Sequence, residues 1–249
     1  LSVAMGLGTT ASGQYSTAMG VETTASGERS TAMGHQTEAI GGFSTAMGRE
    51  TKAIGYASTA MGQETMASGY FSTAMGDGTR ASEYGSTAMG DGTTASGFAA
   101  TAMGYSTTAS GDFSTALGYS TIASGDLSRA MGILTTASGN VSTAMGRTTT
   151  ASGDFSTAMG DGTTASDYLS FIVGKHNLAG SAITSSANQF SLDNTAFVIG
   201  NGTASNNRSD ALTVLFDGTT TIAGDLNVNS DARLKANIVS LGSTLSKLL

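Results

Sequence analysis

The 249-residue sequence contains no cysteine, no proline and no tryptophan. Without cysteine there is no disulfide framework, no thiolate metal site and no cysteine nucleophile. Charged residues are scarce, 12% of the chain against about 25% in an ordinary globular domain. The 11 Lys and Arg against 18 Asp and Glu give a formal charge of −7. That is the wrong sign for gripping a phosphate backbone, which needs a basic face, so no nucleic-acid partner is expected. No run approaches the ~20 apolar residues of a membrane-spanning helix, so no membrane insertion by this chain is expected. No basic-then-apolar leader follows Leu1. His35 and His176 lie far apart and point to neither a zinc cluster nor a His-centred triad. We expect no cofactor, no metal and no enzymatic activity of the mature chain.

What the sequence has instead is glycine: 35 residues, where average usage gives about 17. High glycine with low charge fits either disorder or a fibre, and order along the chain decides between them. Glycines recur every 14 residues from Gly6 to Gly174. The residue before each is Met in eleven cases, Leu117 once and Val173 once. Blocks such as Ser16-Thr17-Ala18-Met19-Gly20 alternate with blocks such as Thr23-Thr24-Ala25-Ser26-Gly27. Twelve copies of x-x-S-T-A-M-G-x-x-T-x-A-S-G run without insertion or deletion. Disordered low-complexity sequence keeps no such register, whereas a stack of identical units does.

A helical solenoid needs 20 to 47 residues per repeat, and a glycine in every second turn would cost a helix about 1 kcal/mol each time. Collagen needs glycine every third residue and proline. Two short strands closed by glycine turns make one coil of a β-solenoid, with glycine supplying the φ > 0 that tight turns require. Coils stacked about 4.8 Å apart would build a rod on the order of 55–60 Å long.

Strand alternation puts Thr and Met of Ser-Thr-Ala-Met-Gly on one face and Ser and Ala on the other. The Met and Ala columns form two apolar ladders. One lines the coil interior, which must be slim, and the other faces a partner. An apolar ladder left outside would be a long exposed patch, so self-association around the rod axis, as a homotrimer, is expected. A soft-metal thioether array is the competing reading of the Met column, disfavoured by the lack of His or Cys neighbours.

The variable pairs carry the surface. One pair holds Tyr15, Phe43, Tyr56, Tyr70, Phe71, Tyr84, Phe98, Phe113, Phe155 and Tyr168, and the other includes His35, Arg49, Glu64, Tyr105 and Tyr119. We take Tyr56, Tyr70, Tyr84, Phe98, Tyr105 and Tyr119 as surface ligand candidates. The alternative is that these rings only cover the seams between neighbouring coils. The Asp-Gly pairs at 77, 91, 161 and 217 read as turns, since the calcium-binding β-roll repeats every nine residues. Threonine ladders on a flat face could also order water and so bind ice. The Thr9 column is intact for that purpose, but its neighbour is interrupted by Glu38, Lys52, Met66, Arg80 and Ile122.

These coils resemble the head repeats of the YadA-like trimeric adhesins, whose motif is a Ser-x-Ala-Ile/Val-Gly step every 14 or so residues. Ser16-Thr17-Ala18-Met19-Gly20 carries the likeness with Met in the β-branched position. Phe171-Ile172-Val173-Gly174 and Ala196-Phe197-Val198-Ile199-Gly200 lie nearer the family norm. The resemblance covers about residues 1–175. It implies an all-β, left-handed parallel β-roll of 14-residue coils, trimeric and displayed outside the cell for attachment to a glycan or protein receptor.

After Gly174 the register breaks, since Gly200 lies 26 rather than 28 residues on. Residues 176–229 read as a neck in which Ala211–Phe216, an Asp217-Gly218 turn and Thr219–Ile222 make a β-hairpin, with a further short strand over 223–228. Residues 230–249 change character. Leu234, Ile238, Leu241, Leu245 and Leu248 are spaced 4, 3, 4, 3, the seam of a short coiled-coil helix that Ser230 could cap. Ser230-Asp231-Ala232-Arg233-Leu234-Lys235-Ala236-Asn237-Ile238 resembles the opening of the intramolecular chaperone domain of endosialidases and phage tail fibres. That resemblance implies self-cleavage of a longer precursor, with Ser230 as nucleophile and Lys235 as base. A capped helix with a solvated Lys235 describes the same residues. The functional expectation is a trimeric adhesive fibre at the cell surface; the alternative is a phage tail fibre or tailspike that binds a receptor.

Overall fold

Residues 1–178 and 186–225 are described in the structure, a computed structural model. The Ser230–Lys235 pair and the coiled-coil seam lie outside the described residues. Each 14-residue coil is built from one five-residue strand and one two-residue strand, as in Thr17–Val21 and Thr24–Ala25. Thirteen long strands, from Val3–Leu7 to Phe171–Lys175, stack parallel in one sheet, and twelve short strands stack in a second. Like lies over like: Thr17 pairs with Thr31, Ala18 with Ala32, Met19 with Met33 and Gly20 with Gly34. There is no helix among the described residues. The chain is an all-β parallel solenoid.

Alternation decides what is inside. The Ala columns Ala18–Ala158 and Ala25–Ala165 are completely buried, joined by the Ser16–Ser170 column, in which Ala100 stands once for Ser. Thr17 and Met19 and their equivalents point outward. The interior is as slim as the repeat length requires: its only larger apolar members are Ile172 and Val198 at the far end. So thin a core leaves much of the cohesion to hydrogen bonds running coil to coil. The turns share in it, through Glu22 N–H to the Leu7 carbonyl at 2.8 Å and Phe43 N–H to the Glu28 carbonyl at 2.7 Å.

Glycine recurs twice per coil for two different reasons, where the sequence pattern implied one. Gly20 and its column lie in the strand at φ near +125°, which glycine alone adopts readily. Gly27 and its column have no positive φ, but a Cβ there would stand 2.5 Å from the Gly41 carbonyl carbon of the next coil. The second column is therefore a close approach of backbones alone, whereas the first combines its φ with a similar approach, a Cβ on Gly20 standing 2.9 Å from the Gly34 carbonyl carbon. The left-handed turn positions are filled mostly by ordinary residues, among them Tyr15, Glu22, Arg29, Gln36 and Phe43 at φ 53–61°, with glycine at a few such as Gly78 and Gly92. Where Glu83 replaces the second glycine, its N–H abandons the next coil and is taken by the Ser86 hydroxyl at 3.2 Å.

A second correction concerns threonine. The Thr23–Thr163 column is buried inside the solenoid, so it offers no water-ordering face. The ice-binding reading loses its intact ladder.

The register break at Gly174 is a break in sequence only. Strand Phe171–Lys175 pairs in parallel with Thr195–Asn201, and Gly174 faces Gly200. The ladder gains one more rung. The sheet then reverses: Asp210–Leu215 pairs antiparallel with Thr195–Asn201, and Thr220–Ile222 antiparallel with Asp210–Leu215. The Asp217-Gly218 turn closes that last hairpin, with Thr219 N–H donating to the Asp217 carboxylate at 2.7 Å.

Candidate functional site

Each Ser-Gly turn is followed by the first variable pair, and the stacking fixes where those side chains go. The second member of the pair sits in the left-handed region, at φ 60° for Phe43, 58° for Phe71 and 56° for Phe113. Bulky residues rarely tolerate this. It is held by the stack: Phe71 N–H donates to the Tyr56 carbonyl at 2.8 Å and Phe113 N–H to the Phe98 carbonyl at 2.7 Å. The first members stand directly above one another, one per coil.

Aromatic rings from both columns interleave into a continuous track. Phe43 meets Tyr56 edge-on at 5.4 Å, Tyr56 meets Tyr70 at 6.1 Å and Phe71 at 5.9 Å, and Phe71 meets Tyr84 at 5.4 Å. Tyr84 then stacks on Phe98 at 5.3 Å and 6°, and Phe98 meets Phe113 at 5.2 Å. The Arg29 guanidinium lies 5.1 Å from the Phe43 ring and 5.8 Å from the Tyr15 ring, linking Tyr15 to the track. These are the offset and edge-to-face separations that aromatic pairs prefer. Tyr56, Tyr70, Tyr84 and Phe98 nonetheless remain 42, 60, 48 and 39% exposed, so neighbouring rings cover one side and leave the other open. Of the six ligand candidates, four thus converge. Tyr105 and Tyr119 stack on each other at 5.1 Å, but in the other turn of the coil. Phe43, Phe71 and Phe113 complete the track although they were not among the candidates. Their signal was present in the sequence as aromatics in the neighbouring position of the same pairs.

The track changes chemistry beyond Phe98. The same column continues as Asp112, Asp126, Asn140 and Asp154, and each side-chain oxygen accepts the N–H of the preceding coil. The bonds are Phe98 N–H to Asp112 at 2.9 Å, Asp112 N–H to Asp126 at 2.9 Å, Asp126 N–H to Asn140 at 3.2 Å and Asn140 N–H to Asp154 at 2.7 Å. This spine satisfies turn amides that strands do not reach.

The opposite turn carries a charged groove of about 530 Å³ lined by Glu22, Gln36, Glu38, Glu50, Lys52 and Glu64, among others. Its charges are largely spent on each other, through Lys52–Glu38 at 3.0 Å and Arg49–Glu64 at 3.7 Å. Further along, Arg147 grips Asp161 with two bonds of 3.0 and 2.7 Å. The hydrogen bond from Arg147 holds the Asp161 carboxyl below the usual carboxylate range, and donating that bond raises the guanidinium. At the end of the roll, burial pushes the Asp210 carboxyl up, opposed by hydrogen bonds from Leu178 N–H and the Thr213 hydroxyl. Among the described residues no three His, Asp or Glu side chains converge to hold a metal.

What the site offers is therefore a surface, long and flat, with aromatic faces repeating at the strand spacing. No helix among the described residues is long and apolar enough to cross a membrane. No curated protein matches the chain. The YadA head domain repeat matches ten stretches between residues 1 and 163, beginning 1–23, 11–37 and 25–51 and ending 123–147 and 137–163. The family's model holds two copies of the repeat, most matches span about two coils and successive ones are mostly displaced by one coil, and the chain belongs to the YadA head repeat family.

Proposed function

We propose that this chain is the head of a trimeric fibre on the cell surface, and that it attaches to host, prey or other cell surfaces by binding a glycan or protein receptor without catalysing a reaction. The in-register YadA head coils carry the reading, since that repeat points to fibres of the trimeric autotransporter adhesin type. The aromatic track supplies a means. The C–H face of a sugar ring lies flat on an aromatic face, and Tyr56, Tyr70 and Tyr84 add hydroxyls able to orient it.

The outer Met column supports the trimer. Met19 and Met103 are each 37% exposed, and Met33, Met47 and their equivalents are half-buried, all on one face of the long-strand sheet. A rod this thin buries alanine inside and leaves methionine outside, so three copies meeting on that face would cover what one copy exposes.

A glycan and matrix-protein array tests the receptor. Binding should fall about 100-fold in the Tyr56→Ala/Tyr70→Ala/Tyr84→Ala variant, the loss expected for removing three anchors each worth about 1 kcal/mol. Full retention by a folded variant would remove the track from the reading. The phage-fibre alternative rests on Ser230–Ile238 alone. If Ser230→Ala in a longer precursor leaves its processing on a gel unchanged, self-cleavage fails.

A further inference from the structure

Where the roll ends, the structure encloses a small cavity that the aromatic track does not use. It has a volume of about 10 Å³, and Thr164, Ser166, Asp167, Asn177, Thr195 and Asp210 contribute to its lining. That is room for one water-sized occupant. Asp167 stands where ten other coils have the second glycine, so the final coil replaces a backbone contact with a carboxylate.

Asp167 is 3% exposed. Its Oδ2 accepts the Thr195 N–H at 2.9 Å, and its Oδ1 has no hydrogen-bond partner among the described residues. A carboxylate oxygen buried without a partner is costly. A second carboxylate lines the same space. Asp210 Oδ1 accepts the Leu178 N–H at 2.9 Å, while its Oδ2 receives only a long bond from the Thr213 hydroxyl at 3.3 Å. Asn177 has little left to give either of them. Its carbonyl oxygen accepts the Thr164 N–H at 2.7 Å, and its amide group donates to the Thr164 and Leu178 carbonyls at 3.0 Å each. Among the described residues no Lys, Arg or His lines the cavity.

Two carboxylates face one small space with hydroxyls around it, and the nearby Arg208 guanidinium donates to the Gly162 and Asn177 carbonyls, with no bond to either carboxylate. A hard cation with oxygen ligands resolves that imbalance, and two carboxylates match a divalent charge. Magnesium keeps several of its waters and demands an octahedron, for which a one-occupant cavity has no room. Calcium accepts irregular sets of carboxylate, hydroxyl and carbonyl oxygens. We propose that the junction between the roll and the hairpin binds one calcium ion, held by Asp167 and Asp210. The ion would tie Asp167 of the last coil to Asp210 of strand Asp210–Leu215, adding a side-chain link to the pairing of Phe171–Lys175 with Thr195–Asn201. The inference stands apart from the adhesive reading and would survive its failure.

The test uses the full chain, stripped with EDTA and dialysed. Calorimetric titration with calcium chloride should give one site per chain, at the sub-millimolar to millimolar affinity of extracellular calcium modules. Millimolar calcium should raise Tm by about 2–4 °C, and magnesium at matched ionic strength should not. Asp210→Asn keeps an acceptor for the Leu178 N–H, so it should fold and lose the calcium shift. Its calcium-free Tm should equal or exceed that of the original chain. Asp167→Asn should behave alike, and if it fails to fold, Asp210→Asn decides the question alone. No binding by the original chain, or a shift undiminished in Asp210→Asn, would overturn the proposal and leave the cavity to a water molecule.

Discussion

Replacing Gly90 by alanine separates backbone necessity from turn convenience. Gly90 has φ +125°, and a Cβ there would overlap the Gly104 carbonyl oxygen outright, standing 2.9 Å from its carbon and 3.0 Å from its nitrogen. Ordinary carbon contacts begin at about 3.5 Å, so the two coils must part by more than half an ångström. Backbone strain at such a φ costs about 1–3 kcal/mol. Losing one or two of the adjoining strand hydrogen bonds adds about 0.5–1.5 kcal/mol each. We expect Gly90→Ala to destabilise by about 3–5 kcal/mol. Gly92 is an internal control two residues away. Its φ is +59°, the nearest atom to a Cβ is the Ser106 hydroxyl at 3.6 Å, and no backbone atom comes closer than 4.0 Å. Other coils already place Glu22, Gln36, Glu50 and Glu64 at that turn with φ 51–55°. Gly92→Ala should cost about 1 kcal/mol, the left-handed penalty less what alanine removes from unfolded-chain entropy. Guanidinium unfolding followed by far-UV circular dichroism, at one protein concentration for all variants, measures both. Equal destabilisation by the two substitutions would refute the close-approach account of the glycine ladder.

Two further substitutions probe the core and the surface. The hydroxyls of Thr93, Thr107 and most of that column are buried without a hydrogen-bond partner among the described residues. Thr93→Val should therefore stabilise by about 1 kcal/mol, because an unpaired buried hydroxyl costs ~1–3 kcal/mol; a loss of stability in the same unfolding assay would mean that the hydroxyl is bonded. The folded Asp161 carboxyl titrates below its unfolded value, so the Arg147–Asp161 pair contributes above the ordinary Asp range and its contribution vanishes as pH falls through the folded value. Arg147→Ala should lower stability slightly at neutral pH and low salt and not at all in acid or molar salt; a difference that persists in acid would contradict the pairing.

Much of this fold was legible because the repeat is strict. With Ser, Ala, Met and Gly recurring in fixed columns, parallel stacking forces like onto like; alternation put Ala18 and Met19 on opposite faces, and the structure shows that Ala18 is the one inside. The columns do not disclose what glycine does in each place. Gly20 and Gly27 look equivalent in sequence, yet both answer to the carbonyl of the next coil and only Gly20 answers to φ as well. The left-handed residues were hidden for a related reason. Tyr15, Ala57 and Leu127 share no chemistry, and only the stacked turn makes their conformation common. Thr23 read as a surface ladder because a threonine column fits a slim interior as well as a flat exterior, and sequence does not distinguish the two. The rung formed by Gly174 and Gly200 was obscured by a connection longer than one coil. In the aromatic track, the first-member rings were visible as a column. The interleaving of Phe43, Phe71 and Phe113 follows from the turn geometry that brings both pair members to one edge.

Sedimentation equilibrium of the full chain at micromolar concentration addresses the assembly directly. A fibre head that covers its Met column by three-fold packing gives a single species of about three times the 24.7 kDa chain mass, unchanged on dilution. A folded 24.7 kDa monomer that keeps its β-rich spectrum would contradict it.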